Sequence, residues 1–189
     1  VVVLAGPNGA GKTTASTSLL QGELSVSQFV NADQIARGLS GFAPDRVAMQ
    51  AGRIMLARLD ELARDRANFA FETTLASRSF APRIADLVRS GYEFHLFFIW
   101  LPNADAAIAR VAARVRAGGH DIPADDIRRR YAHGIENLFS LYPRIATRWT
   151  ILHGSAAIPT RIASGGQGRT TEVIDSKTWA ELGHVDDPT

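Results

Sequence analysis

The chain opens with Val1-Val2-Val3-Leu4-Ala5 and runs directly into Gly6-Pro7-Asn8-Gly9-Ala10-Gly11-Lys12-Thr13-Thr14. No other stretch constrains the fold as much. A short apolar run, then G-x-x-x-x-G-K-T, then a helix-compatible tract through Leu19-Leu20 reads as a strand, a phosphate loop and a helix in succession. The glycines let the backbone curl so that successive N–H groups face inward around a chain of phosphates. Lys12 then reaches the β- and γ-phosphates, Thr13 offers its hydroxyl to Mg²⁺, and the helix adds its positive end to the same anion site. A glycine-rich turn that binds nothing is the bland alternative, and the strand-before, helix-after context argues against it. The expected ligand is a nucleoside triphosphate with Mg²⁺, held by residues 6–14.

The rest of the chain alternates strand-like and helical tracts. Gln28-Phe29-Val30 reads as a second strand ending in Asn31-Ala32-Asp33, followed by a short helix from Gln34 to Leu39 that Gly41 breaks. Pro44 suits the first turn of a long helix, whose apolar face (Val47, Met55, Leu59 and Leu62 among others) carries it to about Ala67. Phe69-Ala70-Phe71 is a third strand running into Glu72-Thr73-Thr74, and a helix from Pro82 to Arg89 stops at Gly91. Tyr92 to Leu101 is the most hydrophobic strand of the chain, continuous rather than alternating, as a strand covered on both faces should be.

Asn103 caps the next helix and Gly118-Gly119 follow its end. On it Ile108, Val111, Ala112 and Val115 share one face, with Arg110 and Arg114 projecting from the opposite one. A helix from about Ala124 to Phe139, a fifth strand at Trp149 to Leu152, and a hairpin turning at Gly165-Gly166 complete the pattern. The polar tail after Trp179 is expected to fray. This alternation implies one α/β domain over residues 1–189. Its form is a three-layer, doubly wound, mostly parallel sheet with a helical, Arg-rich lid at about 110–130 and a C-terminal hairpin and tail from about 158. In such sheets the ligand lies beyond the carboxyl ends of the strands. Lys12 with Thr13, Asp33, and Glu72 with Thr74 each follow such an end.

Composition removes several classes. With no Cys, disulfide scaffolds, thiolate zinc sites and cysteine nucleophiles are excluded. No apolar run approaches ~18 residues, so neither a spanning helix nor a membrane partner is expected. Val1 already belongs to a strand, so no signal peptide is expected, a few native residues are expected ahead of it, and the cytoplasm is the expected compartment. A net charge of +2 is too small to argue for nucleic acid. Lysine occurs only at 12 and 177; the other basic residues are Arg, the better planar ligand for phosphate.

Phosphoryl transfer needs a group that orients the nucleophile and positive charge on the phosphoryl group in flight. Asp33 is the candidate base for a substrate hydroxyl, with N-cap of the Gln34 helix as its structural alternative. Glu72 ends an apolar strand, where a carboxylate needs partners. It can hold Mg²⁺ through water, bind a substrate hydroxyl, or pair with an Arg. Thr74 donates to the substrate or caps the turn. Six arginines (110, 114, 116, 128, 129 and 130) lie in two helices flanking Gly118-Gly119, as in a hinged lid over the phosphates. A solvated charged face balanced by Asp105, Asp121, Asp125 and Asp126 is the alternative. His120 and Asp121 read as loop hydrogen bonders and His95 as a flanking core residue.

Four segments together, GPNGAGKTT, FVNADQIARGL, FAFETTLAS and RVAARVRAGGHDIPADDIRRRY, resemble the zeta toxin family, most closely its short chromosomal members. The resemblance implies a P-loop kinase that phosphorylates a hydroxyl of a nucleotide sugar such as UDP-N-acetylglucosamine. It implies ATP and Mg²⁺ at Lys12 and Thr13, Asp33 as base, and Glu72 and Thr74 on the sugar-nucleotide. Arg114, Arg129 and Arg130 best fit the family's lid arginines, and an antitoxin protein becomes an expected partner. The chain departs from the larger toxins in its length and in its GGHDIP insertion.

Rival readings are weaker. Ser164-Gly165-Gly166-Gln167 resembles the signature of ABC transporter ATPases, but it sits in an expected hairpin and no strand ends in Asp-Glu. A GTPase would need Asn-Lys-x-Asp, which is absent. A small-metabolite or antibiotic kinase keeps every role above and changes only the acceptor. A nucleotide-dependent nucleic-acid-binding module lacks aromatic residues among its arginines to stack bases.

Overall fold

The computed structural model describes residues 1–119, 121–156 and 158–183. His120 and the last six residues of the tail lie outside the described residues. Seven strands form one sheet in the order β2-β3-β1-β4-β5-β6-β7. β1 (Val2–Ala5), β2 (Gln28–Val30), β3 (Phe69–Thr73), β4 (His95–Trp100) and β5 (Arg148–His153) are parallel, and β6 (Thr160–Gly166) and β7 (Arg169–Val173) add antiparallel.

The period of two in β1 divides the core. Val3 and Ala5 face a cluster that includes Phe71, Phe98 and Ile151, completed by Met55, Leu59 and Leu62 of α3 (Ala48–Arg64), Ile84 of α4 (Phe80–Arg89) and Leu138 of α6 (Ala124–Ser140). Leu4 faces the other way, against Ala15 of α1 (Lys12–Ser16), Ala107 and Val111 of α5 (Ala104–Arg116) and Ile127. Helices therefore cover both faces, the expected three-layer, doubly wound, mostly parallel arrangement. Each fully buried phenylalanine contributes ~1.5–3 kcal/mol to holding the layers together.

Several boundaries differ from expectation for local reasons. The helix after β2 is α2 (Ala32–Leu39), capped by Asn31, whose Oδ1 accepts from the N–H groups of Asp33 and Gln34. Asp33 is therefore a first-turn residue and not the cap. Pro44 opens a single 3₁₀ turn (Pro44–Val47) rather than α3 itself, and α3 ends at Arg64. The phosphate-loop helix is short and continues as a π-helical stretch, Thr17–Glu23.

The C-terminal hairpin turns at Gln167-Gly168, where Gly168 has φ +66°, and not at Gly165-Gly166. Those two glycines lie in β6 because β5 passes close by: a Cβ on Gly165 would sit 2.6 Å from the Trp149 ring. The chain after β7 forms α7 (Ser176–Glu181), in which Trp179 stacks on Trp149 at 6.0 Å between ring centroids. Leu182 is buried, so the chain is anchored past Trp179.

Tyr142 is fully buried, and its hydroxyl has no hydrogen-bond partner among the described residues. Burial pushes the pKa of that phenol up to about 12. Tyr142→Phe is expected to raise the urea midpoint, gaining about 1 kcal/mol by removing an unsatisfied polar group. A lowered midpoint would show that the hydroxyl is bound.

Candidate active site

The register places the site. Leu4 is level with Glu72 and Ala5 with Thr73, so the phosphate loop leaves β1 beside the end of β3. Gly6 follows at φ +138° and passes so close to β4 that a Cβ would sit 2.3 Å from the Ile99 carbonyl oxygen. Only glycine fits there. Lys12 is 6% exposed, and its Nζ donates to the carbonyls of Gly6 at 2.8 Å and Pro7 at 2.9 Å, bracing the loop from inside.

Glu72 gathers the neighbouring elements. Its Oε2 accepts from Thr13 Oγ1 at 2.8 Å and from Asn31 Nδ2 at 2.7 Å, while Oε1 lies 3.7 Å from Lys12 Nζ. Its partners are thus Lys12, Thr13 and Asn31, not an arginine. Burial lowers the pKa of the Lys12 ammonium; Glu72, and then Asp33, oppose that, and Arg114 reinforces it. Asp33 and Arg114 are therefore both within electrostatic reach of Lys12. The ends of β1, β2 and β3 thereby bring Lys12, Thr13, Asn31, Asp33 and Glu72 together.

The arginines sort into two groups. Arg110 and Arg114 do not project away from the core. A Cβ on Gly9 would lie 3.0 Å from Arg110 Cβ, and the Arg110 guanidinium donates to the Gly154 carbonyl beyond β5. This face of α5 therefore covers the phosphate loop, and Ala112, assigned to the core by periodicity, is exposed. Gly118-Gly119 end α5 as a Schellman cap, with the Gly118 N–H bonded to Val115 O and the Gly119 N–H to Arg114 O, both at 2.9 Å. Gly118 supplies the left-handed turn at φ +85°.

Arg128 pairs with Asp105 and Asp125, and Arg129 with Asp126 at 2.6 Å. These two sit on the outward side of α6. Arg129 holds the Asp126 carboxyl below its ordinary pKa, with a smaller contribution from Arg130, which is half-buried. The Thr74 hydroxyl caps its turn, accepting from the Ala76 N–H at 3.4 Å.

The donor set fits a magnesium triphosphate. The Thr13 hydroxyl donates its hydrogen bond to Glu72 and so keeps its oxygen lone pairs for a cation. Among the described residues no group of three or more His, Asp or Glu is placed to hold a metal ion. Asn31 is the residue that sequence reasoning missed. Its signal was present, an N-cap residue type directly before a helix, but Asp33 drew the assignment.

Residues 1–133 match a family model described as an AAA domain (AAA_33). The chain belongs to that family. A Haemophilus influenzae relative of this AAA domain, an uncharacterized protein, is 29% identical over 126 residues, covering 67% of this chain and 88% of that one. Among solved structures, AvrRxo1-ORF1:-ORF2 with ATP superposes with a TM-score of 0.76 at 16% identity over 97% of this chain. The PezAT chromosomal toxin–antitoxin system of Streptococcus pneumoniae gives 0.63 at 19% identity over 81%. The chain spans 63% of the AvrRxo1 chain and 66% of the PezAT chain. At such identities the likeness is one of fold: this AAA domain has the P-loop kinase fold. No helix among its described residues is long and apolar enough to cross a membrane.

Proposed function

We propose that this AAA domain is an ATP-dependent phosphotransferase of the zeta toxin type. Its acceptor is a hydroxyl of a nucleotide sugar such as UDP-N-acetylglucosamine. The observation that carries the reading is the network joining Lys12, Thr13, Asn31 and Glu72, with Asp33 on the helix that Asn31 caps. Residues 6–14 and Arg130 bind ATP, and Glu72 and Thr74 line the acceptor side. Mg²⁺, held by Thr13 and through water by Glu72, supplies charge neutralisation on the phosphates.

The Asp33 carboxylate takes the proton of the acceptor hydroxyl as its oxygen bonds to the γ-phosphorus. The bond from that phosphorus to the bridging oxygen breaks, and the electron pair leaves on ADP. Lys12 and Arg114 offset the charge that develops. Arg129 joins them when its exposed pair with Asp126 opens. A protein partner of antitoxin type that covers the nucleotide site completes the proposal. It draws support from two structural neighbours, one a complex of two ORF products and one a toxin–antitoxin system.

Arg114→Ala is expected to lower turnover by ~10²–10³-fold while nucleotide affinity falls far less, with a smaller loss of the same kind for Arg129→Ala. The reverse pattern in steady-state kinetics would mean that these arginines bind only ground-state phosphate. The acceptor is tested by mass spectrometry of nucleotide sugars, nucleotides and a metabolite extract incubated with protein, Mg²⁺ and ATP. A gain of ~80 Da on UDP-N-acetylglucosamine is expected for the one phosphate transferred. The same gain on a small metabolite instead would replace the acceptor and remove the toxin reading.

A further inference from the structure

β3 carries Glu72 near its end, and the loop that follows begins at Thr74 and turns inward at Leu75. That residue is fully buried and held in the left-handed region at φ +59°. A non-glycine side chain stays there only when its surroundings over-determine it. The surroundings here are supplied by α6. Asn137, 2% exposed, donates from Nδ2 to the carbonyls of Leu75 at 2.7 Å and Ala76 at 3.4 Å. Three residues earlier, Gly134 lies so close that a Cβ would sit 2.6 Å from the Thr74 carbonyl oxygen. Three earlier again, Tyr131 donates to the Leu101 carbonyl at 2.8 Å, just beyond β4. This spacing aligns 131, 134 and 137 along one side of the helix.

The division of hydrogen bonds is informative. Within the loop, the N–H groups of Leu75 and Ala76 are met by the hydroxyls of Thr73 and Thr74. Their carbonyls are met by α6. The loop is thus closed from both sides, and its geometry is set by a helix remote in sequence. From Tyr131 onward α6 is thus tied to the segment after β4 and to the Thr74–Ala76 loop.

We propose that Asn137 is a positioning residue: by fixing the Leu75 turn to α6 it holds Thr74 in place for the acceptor. Its kinetic part rests on the phosphotransferase reading above; its structural part does not. The test is hydrogen exchange on the full chain, combined with separate KM values for ATP and acceptor. In the unmutated protein the segment 73–77 is expected to exchange as slowly as residues 131–141, as one cooperative unit. Asn137→Ala should speed exchange of 73–77 by ~10-fold or more and leave residues 6–14 unchanged. It should raise the acceptor KM ~10-fold while the KM for ATP stays within about twofold.

Loop exchange unaffected by Asn137→Ala would overturn the proposal, as would ATP and acceptor KM values rising together. Should that variant not fold, the unmutated comparison decides: a loop exchanging freely beside a protected α6 contradicts the clamp. Should the unmutated protein transfer phosphate to nothing, the phosphotransferase reading falls while the exchange result still decides the clamp.

Discussion

Lys12→Ala is expected to remove ATP turnover, by ~10³-fold or more, from a protein that still folds. The ammonium is placed between the loop carbonyls of Gly6 and Pro7 and the Glu72 carboxylate. Its charge is thus fixed inside the loop, and residues 6–14 hold no other basic side chain to replace it. The fold should survive because Glu72 retains donors from Thr13 and Asn31, so its carboxylate is not stranded. Circular dichroism melting and ATP turnover measured on one preparation separate the two effects. Retained turnover in a folded variant would overturn the site. Loss of the fold would give Lys12 a structural role.

Asp33→Asn is expected to leave ATP binding near normal and to cost ~10²–10⁴ in transfer, the range for a general base. Asparagine keeps the size of the side chain but cannot take up the acceptor's proton. The helix should be indifferent, since its cap is Asn31 and not Asp33. That separation makes the variant informative: a capping role would have confounded stability with catalysis. Calorimetric ATP titration beside single-turnover transfer checks it. Near-normal transfer would reduce Asp33 to a first-turn charge favoured by the helix dipole.

The sheet was legible because its information is local. β1 and β4 are apolar runs, and a run covered on both faces needs no partner to be recognised. The phosphate loop was legible for the same reason, since its glycines and Lys12 lie within a few residues of one another. What stayed hidden depends on approach between distant segments. Thr13 and Asn31 meet Glu72 across 59 and 41 residues, and no spacing rule reports such contacts. Gly165 and Gly166 looked like a turn, whereas their reason is the nearness of Trp149 and Thr147. The polar tail concealed α7 because Trp179 is anchored by Trp149, thirty residues back. Periodicity set Arg110 and Arg114 opposite the core, whereas both lie beside the buried Ala107 and Val111, on the side of α5 that faces the phosphate loop.

The central claim is that the γ-phosphate of ATP passes to a carbon-bound hydroxyl at this site. It is tested most directly by following ³¹P resonances over time with protein, Mg²⁺, ATP and UDP-N-acetylglucosamine, and with Asp33→Asn as control. ADP and a new phosphomonoester resonance are expected to grow in equal amounts, and both to be lost in the control. Inorganic phosphate as the sole product, or ATP consumption unaltered by Asp33→Asn, would contradict it.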